Sequence, residues 1–99
     1  MDFNKLLEKD FIFLDGAMGT MLQASGLKLG GIPEELNITS PELVTDIHKA
    51  YINAGSDIVY ANTFGANRYK LSHSRYSVKE IIQSAVANAK KACDGTEAL

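Results

Sequence analysis

The sequence predicts an α/β fold with parallel strands, and it predicts that these 99 residues are the first quarter to third of a larger α/β domain. Two apolar runs alternate with amphipathic helical segments, which is the pattern of parallel strands joined by right-handed crossovers. A parallel sheet of only two strands has two unpaired edges and is seldom stable alone. The last helical segment also ends close to where a third strand is expected to begin.

The first half of the sequence predicts one strand between two short helices. An apolar stripe at residues 3–7 predicts one or two turns of helix. Residues 11–14 are apolar on both faces and contain aromatic and β-branched side chains, so they predict a buried strand of a parallel sheet. Residues 17–25 predict a short helix with Gly26 at its C-terminal end, and residues 28–39 are loop-like.

The second half predicts two longer helices around a second strand. Residues 40–42 supply a capping hydroxyl, a proline at the first helical position and an acid in the first turn, so a helix is expected to start there. Its apolar positions recur at helical spacing until Gly55 ends it. Residues 57–61 predict the second strand. Ser77 and Glu80 match a capping box, and an apolar stripe continues that last helix.

Composition and charge narrow the functional classes. The hydrophobic fraction is 45% and the formal net charge is −2, which is ordinary for a globular domain and argues against disorder. No basic stripe is present, so neither nucleic acid nor a membrane surface is expected as a partner. The single cysteine, Cys93, excludes an internal disulfide. No signal peptide is visible and no apolar run approaches the ~20 residues of a spanning helix, so the expected compartment is the cytoplasm.

Polar segments that contain glycine follow both predicted strands. Residues 15–20 come directly after the first strand, and residues 62–65 come after the second. Ligands of parallel α/β folds gather at the carboxyl ends of the strands. We therefore expect the two segments to lie on one shared rim, which is the candidate functional site.

Each feature of the first segment has two readings. Asp15 at the end of a buried strand needs a partner, which is either a cation or hydroxyl of a ligand or the start of the following helix. The backbone N–H groups between Gly16 and Gly19 would suit a phosphate or carboxylate at a helix start. Their G-x-x-G spacing matches neither the dinucleotide fingerprint nor the P-loop, so a tight strand-to-helix turn remains the alternative.

The second segment is read in the same way. Asn62 and Thr63 offer hydrogen bonds at the same rim, and Phe64 is placed to wall a pocket. The alternative is a capped turn into the next helical stretch. The occurrence of two polar, glycine-containing segments after two predicted strands of a single chain favours a ligand site.

The remaining candidates are assigned structural roles. His48 lies between charged neighbours on a helix, and His73 lies in a polar loop, so both are expected at the surface. Cys93 continues an apolar helix face, which predicts a packed thiol. A tetrahedral zinc site needs three or four ligands, and no Cys/His cluster with that spacing occurs here.

Three ordered segments together resemble a known family. Residues 14–23 (LDGAMGTMLQ) resemble the opening motif of homocysteine S-methyltransferase domains. Residues 33–37 (PEELN) and 62–71 (NTFGANRYKL) resemble two later segments of the same family. The resemblance is strongest to the N-terminal module of the cobalamin-dependent methionine synthases, and it extends over nearly the whole chain but only the start of the family domain.

The resemblance implies a fold and a chemistry. The fold is a (β/α)₈ TIM barrel of ~250 residues or more, of which the two predicted strands would be the first two of eight. The reaction transfers a methyl group to the thiol of homocysteine, which zinc binds as a thiolate. The family's zinc ligands are cysteines late in the barrel, including an adjacent pair that this sequence lacks, so the zinc ligands are expected outside these residues. Cobalamin and methyltetrahydrofolate are implied for the full-length enzyme.

The resemblance also assigns roles to the rim. The N–H groups of Gly16, Ala17 and Met18 would hold the substrate carboxylate, with Asp15 near the substrate ammonium. Further lining of the same pocket would come from Asn62, Thr63 and Phe64. The implied partners are homocysteine, the remainder of the barrel and the methyl-donor domains, and these residues alone would be inactive.

Two other functions remain open. One is a non-catalytic half-barrel that docks a partner through its exposed strand edge. The other is a β/α-barrel enzyme that binds a phosphate or a pterin at the Gly16 rim.

Overall fold

The computed structural model describes residues 3–26 and 31–99. Its helices in those ranges are α1 (Phe3–Leu6), α2 (Met18–Ala24), α3 (Leu36–Thr39), α4 (Pro41–Asn53) and α5 (Val78–Cys93), and a 3₁₀ turn (Pro33–Glu35) precedes α3. The predicted helix bounds therefore hold to within one or two residues. None of the described helices has both the length and the apolar character that crossing a membrane requires.

The predicted loop over residues 28–39 is wrong in part. Residues 28–30 lie outside the described residues, but residues 33–39 form the 3₁₀ turn and α3. Pro33 fixes a helical φ at the first position, and two acids follow it in the first turn, where the helix dipole favours negative charge. The loop prediction failed because the segment is too short to show a helical period.

The predicted strands meet at one parallel bridge. Leu14 pairs with Ile58. The Ile58 N–H donates to the Phe13 carbonyl at 3.2 Å, and the Asp15 N–H donates to the Ile58 carbonyl at 3.1 Å. This is the bonding pattern of a parallel pair. Neither residues 11–14 nor residues 57–61 form an extended strand, so the parallel direction is observed but two complete βα units are not.

A third segment pairs on the other side of Ile58. The Leu99 N–H donates to the Asp57 carbonyl, and the Val59 N–H donates to the Leu99 carbonyl, both at 2.9 Å. These two bonds follow the same parallel pattern as the Leu14 bridge. The segment around Ile58 is therefore central, with Leu14 on one side and Leu99 on the other.

The apolar core lies between the helices. One cluster of its buried residues joins Leu22 of α2 to Val44 and Ile47 of α4. Around them pack Met18, Met21, Leu36, Leu43 and Tyr51. This core fixes α2 against α4, and so it fixes the segment that joins the first strand position to α2.

Helix ends follow the predicted chemistry in three of four cases. The Ser77 hydroxyl accepts a hydrogen bond from the Glu80 N–H at 3.1 Å, which confirms this cap. Gly26 and Gly55 both follow helices with positive φ, +109° and +114°, as C-terminal glycines do. Ser40 was predicted to cap α4, but its side chain makes no capping bond. Pro41 at the first helical position fixes the helix start without it.

Asp57 ties the N-terminal segment to the second strand position. Its carboxylate pairs with the Lys9 ammonium and accepts a hydrogen bond from the Phe13 N–H at 3.0 Å. The Lys9 hydrogen bond, followed by the Phe13 bond, holds the pKa of Asp57 below its ordinary value. The anionic form therefore stabilises the fold.

Asp57→Asn is expected to remove an acid-dependent part of the stability. Since the folded-state pKa is depressed, the contribution of Asp57 is complete above the unfolded-state pKa near 4 and is lost as the pH falls further. Thermal unfolding midpoints of the two proteins should differ most at pH 6 and converge towards pH 3. A difference that stays constant over this range would show that the carboxylate charge does not contribute.

Candidate functional site

A cavity of about 160 Å³ lies where the two strand positions end. It is lined by Asp15, Gly16, Met18, Tyr60, Ala61, Asn62, Thr63 and Phe64. Six of the seven residues predicted for the site therefore share one cavity. The seventh, Ala17, lies in the chain between two lining residues but does not line the cavity itself.

The Asp15 side chain is bonded to the second predicted strand rather than to a helix. Its Oδ2 accepts a hydrogen bond from the Tyr60 N–H at 3.2 Å. The residue at the N-terminal cap of α2 is Ala17, and no side chain caps this helix. The alternative in which Asp15 caps the next helix is therefore not what the structure shows. The half-buried carboxylate keeps Oδ1 free of hydrogen bonds to described residues.

Three consecutive backbone amides adjoin Asp15. The N–H groups of Gly16, Ala17 and Met18 donate no hydrogen bond to any residue that the structure describes. Such amides before and at a helix start carry partial positive charge that suits an anionic group. The carboxylate and the amides thus place an acceptor and donors side by side.

Tyr51 of α4 contacts the backbone at Gly16 and Ala17 and stabilises its conformation, a role that the sequence did not indicate. Its hydroxyl donates to the Ala17 carbonyl at 2.8 Å. A Cβ on Gly16 would lie 2.9 Å from both Cε1 and the hydroxyl oxygen of Tyr51. Gly16 is therefore required by space. The only signal in the sequence was the position of Tyr51 on the apolar stripe of its helix.

The second rim segment combines a buried and an exposed side chain. Asn62 is 5% exposed, and its Nδ2 donates to the Pro33 carbonyl at 3.0 Å. Phe64 is 93% exposed, with the Lys70 ammonium 4.8 Å from its ring centroid. Thr63 lies between them with its hydroxyl 3.4 Å from the Ala61 carbonyl. The Asn62 side chain is thus used to hold the rim in place. Thr63 and Phe64 line the cavity.

Two buried polar residues behind the rim were missed by the sequence analysis. Glu34 accepts a hydrogen bond from the Gly65 N–H at 3.1 Å, and Asn37 donates to the Asn62 carbonyl at 2.8 Å. Both belong to the segment that was predicted to be a loop. The only sign of their importance in the sequence was that both belong to the PEELN segment, and a sequence match does not show which residues are in contact.

His48 was predicted at the surface, and this is wrong. The residue is fully buried, and neither ring nitrogen has a hydrogen-bond partner among the described residues. The buried face of α4 is wider than its apolar stripe, because Thr45 and His48 are buried as well as Val44. Burial lowers the pKa of His48, and the nearby Asp15 carboxylate opposes this in part. His73 is exposed, as predicted.

Cys93 is only half-buried, so the predicted packed thiol is confirmed in part. Burial raises its pKa. It lines a groove along α5 with Val86 and Ala89 rather than the cavity at Asp15.

The side chains present do not fit a zinc ion. Over residues 3–26 and 31–99, no three histidine, cysteine, aspartate or glutamate side chains are grouped so that they could hold a metal. Asp15 is the only one of these residue types lining the cavity.

A rim of free amides and a carboxylate at the ends of parallel segments is where α/β enzymes bind small ligands. The sequence model of one family, homocysteine S-methyltransferase, matches residues 12–98. The chain belongs to this family. That placement agrees with the resemblance carried by the three motifs.

Individual relatives agree with the family. The chain is 36% identical to methionine synthase of Mycobacterium tuberculosis over 101 aligned positions, and 36% identical to methionine synthase of Mycobacterium leprae over 88. It is also similar to crystal structures of the homocysteine methyltransferase MmuM from Escherichia coli. The metallated form matches with a TM-score of 0.79 and 27% identity, and the oxidized form with 0.75 and 28%.

These matches cover the chain far better than they cover the relatives. They span 94% and 81% of this chain but only 8% and 7% of the two methionine synthases. They span 91% and 88% of it against 33% and 32% of the two MmuM chains. The 99 residues thus correspond to a small part of each methionine synthase and about a third of each MmuM chain.

Proposed function

We propose that the chain forms the first two βα units of a (β/α)₈ barrel in a zinc-dependent enzyme that methylates homocysteine to methionine. Within that enzyme it supplies part of the pocket for the amino-acid end of homocysteine. The observation that carries the proposal is the cavity that collects Asp15, Gly16 and Met18 with the Asn62–Phe64 segment. Its volume of about 160 Å³ is below the ~300 Å³ at which complete ligand pockets begin, which suits one part of a larger site.

The proposed contacts follow from charge. The α-carboxylate of homocysteine would accept hydrogen bonds from the free N–H groups of residues 16–18. The substrate ammonium would lie against the Asp15 carboxylate, whose Oδ1 has no partner among the described residues. Thr63 and Phe64 would border the substrate on the opposite side.

The remaining chemistry is proposed to come from residues beyond these 99. Zinc, when bound, lowers the pKa of the substrate thiol and so supplies the thiolate nucleophile. We propose that its ligands lie elsewhere in the enzyme, which agrees with the lack of a metal-binding group among the described residues. Cobalamin carrying a methyl group from methyltetrahydrofolate is the proposed donor, since the curated relatives are methionine synthases. The proposed compartment is the cytoplasm.

Uncovered apolar faces support the barrel. Phe11 and Phe13 are 74% and 62% exposed, and Ile82 and Val86 of α5 are 39% and 40% exposed. Parallel strands are stable when both faces are covered. The bonds of Leu99 to the central segment add a third parallel position. Further strands and helices of a barrel would cover these faces, and an isolated half-barrel module would leave them in water.

Calorimetric titration of the full-length protein tests the proposal. L-homocysteine should bind, and L-homoserine, which keeps the ammonium and carboxylate, should bind measurably as well. 3-Aminopropane-1-thiol lacks the carboxylate and should bind at least about tenfold more weakly, because a charge-assisted set of hydrogen bonds is lost. Inorganic phosphate that binds while homocysteine does not would favour the phosphate or pterin alternative instead.

A further inference from the structure

The segment from Pro33 to Asn37, here called the clamp, holds both ends of the rim that carries Thr63 and Phe64. Asn37 Nδ2 donates to the Asn62 carbonyl at 2.8 Å, and Asn62 Nδ2 donates back to the Pro33 carbonyl at 3.0 Å. These two bonds fix the residue just before Thr63. They join residues 25 and 29 positions apart, so no local turn accounts for them.

The other end of the rim is held by Glu34. Its Oε2 accepts a hydrogen bond from the Gly65 N–H at 3.1 Å, and Glu34 is only 7% exposed. A Cβ on Gly65 would lie 2.9 Å from Glu34 Oε1 and 3.1 Å from Cδ. The carboxyl group therefore fits against this backbone only because residue 65 is glycine.

The clamp is itself anchored to α5. Asn88 Nδ2 donates to the Asn37 carbonyl at 3.0 Å, and Asn88 is 7% exposed. Buried polar side chains that are bonded in this way are costly to displace, because each move leaves an unpaired group away from water. Asn37 and Asn88 thus give the clamp a fixed position relative to the helical layer.

We infer that Glu34 is a positioning residue for the amino-acid pocket, and that it acts by holding Thr63 and Phe64 at the cavity wall opposite residues 16–18. The inference rests on the proposed function. Glu34 does not line the cavity. It therefore acts on the ligand through the rim backbone rather than by direct contact, and a shift of that backbone would displace the side chains of Thr63 and Phe64 that line the cavity.

Glu35 is the matched control. It is the adjacent residue of the same type, and its carboxylate also makes one hydrogen bond, accepting from the Ser74 hydroxyl at 2.8 Å. That bond holds residues 74–76, which do not line the cavity at Asp15. Loss of either carboxylate removes one hydrogen bond, which is buried at Glu34 and part-buried at Glu35, but only Glu34 is bonded to the rim.

The test measures homocysteine affinity and thermal midpoint in the full-length protein and its variants. Glu34→Ala should weaken L-homocysteine binding about tenfold, as expected when a buried hydrogen bond that shapes the site is lost. Glu34→Gln keeps an oxygen for the Gly65 N–H and should restore affinity to within about twofold. Glu35→Ala should lower the thermal midpoint while homocysteine affinity stays within about twofold of the parent. Gly65→Ala places a Cβ against the same carboxyl group and should weaken homocysteine binding as Glu34→Ala does. It replaces Glu34→Ala in the test if that variant does not fold.

The outcomes distinguish the proposed function from the positioning role of Glu34. A parent protein that binds no homocysteine overturns the proposed function. If the parent binds, equal affinity in Glu34→Ala and the parent overturns the positioning role. Failure of Glu34→Gln to restore affinity also overturns it, because the hydrogen bond would then not be what positions the rim.

Discussion

Replacing Gly16 by alanine is expected to weaken homocysteine binding by about tenfold to a hundredfold, the scale of losing charge-assisted hydrogen bonds to the substrate carboxylate. The new Cβ would lie 2.9 Å from the ring and hydroxyl of Tyr51, closer than real Cβ contacts come. Tyr51 packs against the apolar core and bonds to the Ala17 carbonyl, so it cannot swing away without cost. The strain is expected to move the three amides that the carboxylate needs.

Gly19→Ala provides the control for this change. Gly19 is the second residue of α2, and a Cβ there would meet nothing within 4 Å. Alanine favours a helix over glycine by about 1 kcal/mol, so this variant should be slightly more stable and bind homocysteine normally. Calorimetric affinities of both variants give the comparison directly.

A double-mutant cycle tests whether the clash with Tyr51 is what makes Gly16→Ala unfavourable. In a Tyr51→Leu background the ring is absent, so adding Gly16→Ala should cost much less stability than it does in the parent. Tyr51→Phe alone removes only the hydroxyl bond and should cost about 1 kcal/mol of folding stability. Additive losses in the Gly16/Tyr51 pair would show that the glycine is needed for another reason.

The convergence of the two rims was predictable because it follows from strand direction. Once residues 11–14 and 57–61 are taken as parallel, their carboxyl ends must meet on one edge, and Asp15 and Asn62 do line one cavity. Helix ends at Ser77 and Gly55 were predictable for a similar reason, since caps depend on residues within one turn. These features need no knowledge of distant neighbours.

What the sequence could not provide were contacts between distant residues. Two hydrogen bonds, from Asn37 to Asn62 and from Gly65 to Glu34, join the segment that was predicted to be a loop to the rim. The sequence did not predict them, because the polar composition of that segment is typical of an exposed loop. The support of Gly16 by Tyr51 likewise depends on how α4 packs beneath the turn. The single parallel bridge in place of two strands has the same origin, because exposed Phe11 and Phe13 lack the covering layer that stabilises a parallel strand.

His48 is the clearest case of packing overriding local composition, and it leads to a second prediction of large effect. The charged neighbours Asp46 and Lys49 are exposed, but the imidazole between them is fully enclosed, and neither nitrogen has a hydrogen-bond partner in the described part of the chain. A buried polar group without hydrogen bonds costs about 1–3 kcal/mol. His48→Leu, which has similar volume and no polar atom, should therefore raise the free energy of unfolding by about that amount at pH 8.

The stabilisation by His48→Leu should be larger at pH 5 than at pH 8. Burial lowers the pKa of His48 in the folded protein, and Asp15 only partly offsets this. Between that lowered pKa and the unfolded value near 6.5, the unfolded chain binds a proton that the folded chain does not, so the parent loses stability as the pH falls. Urea denaturation at both pH values measures the difference. His73→Leu, at an exposed loop position, should change the unfolding free energy by less than about 0.5 kcal/mol at either pH. Equal effects of His48→Leu at the two pH values would show that burial does not lower the pKa of His48.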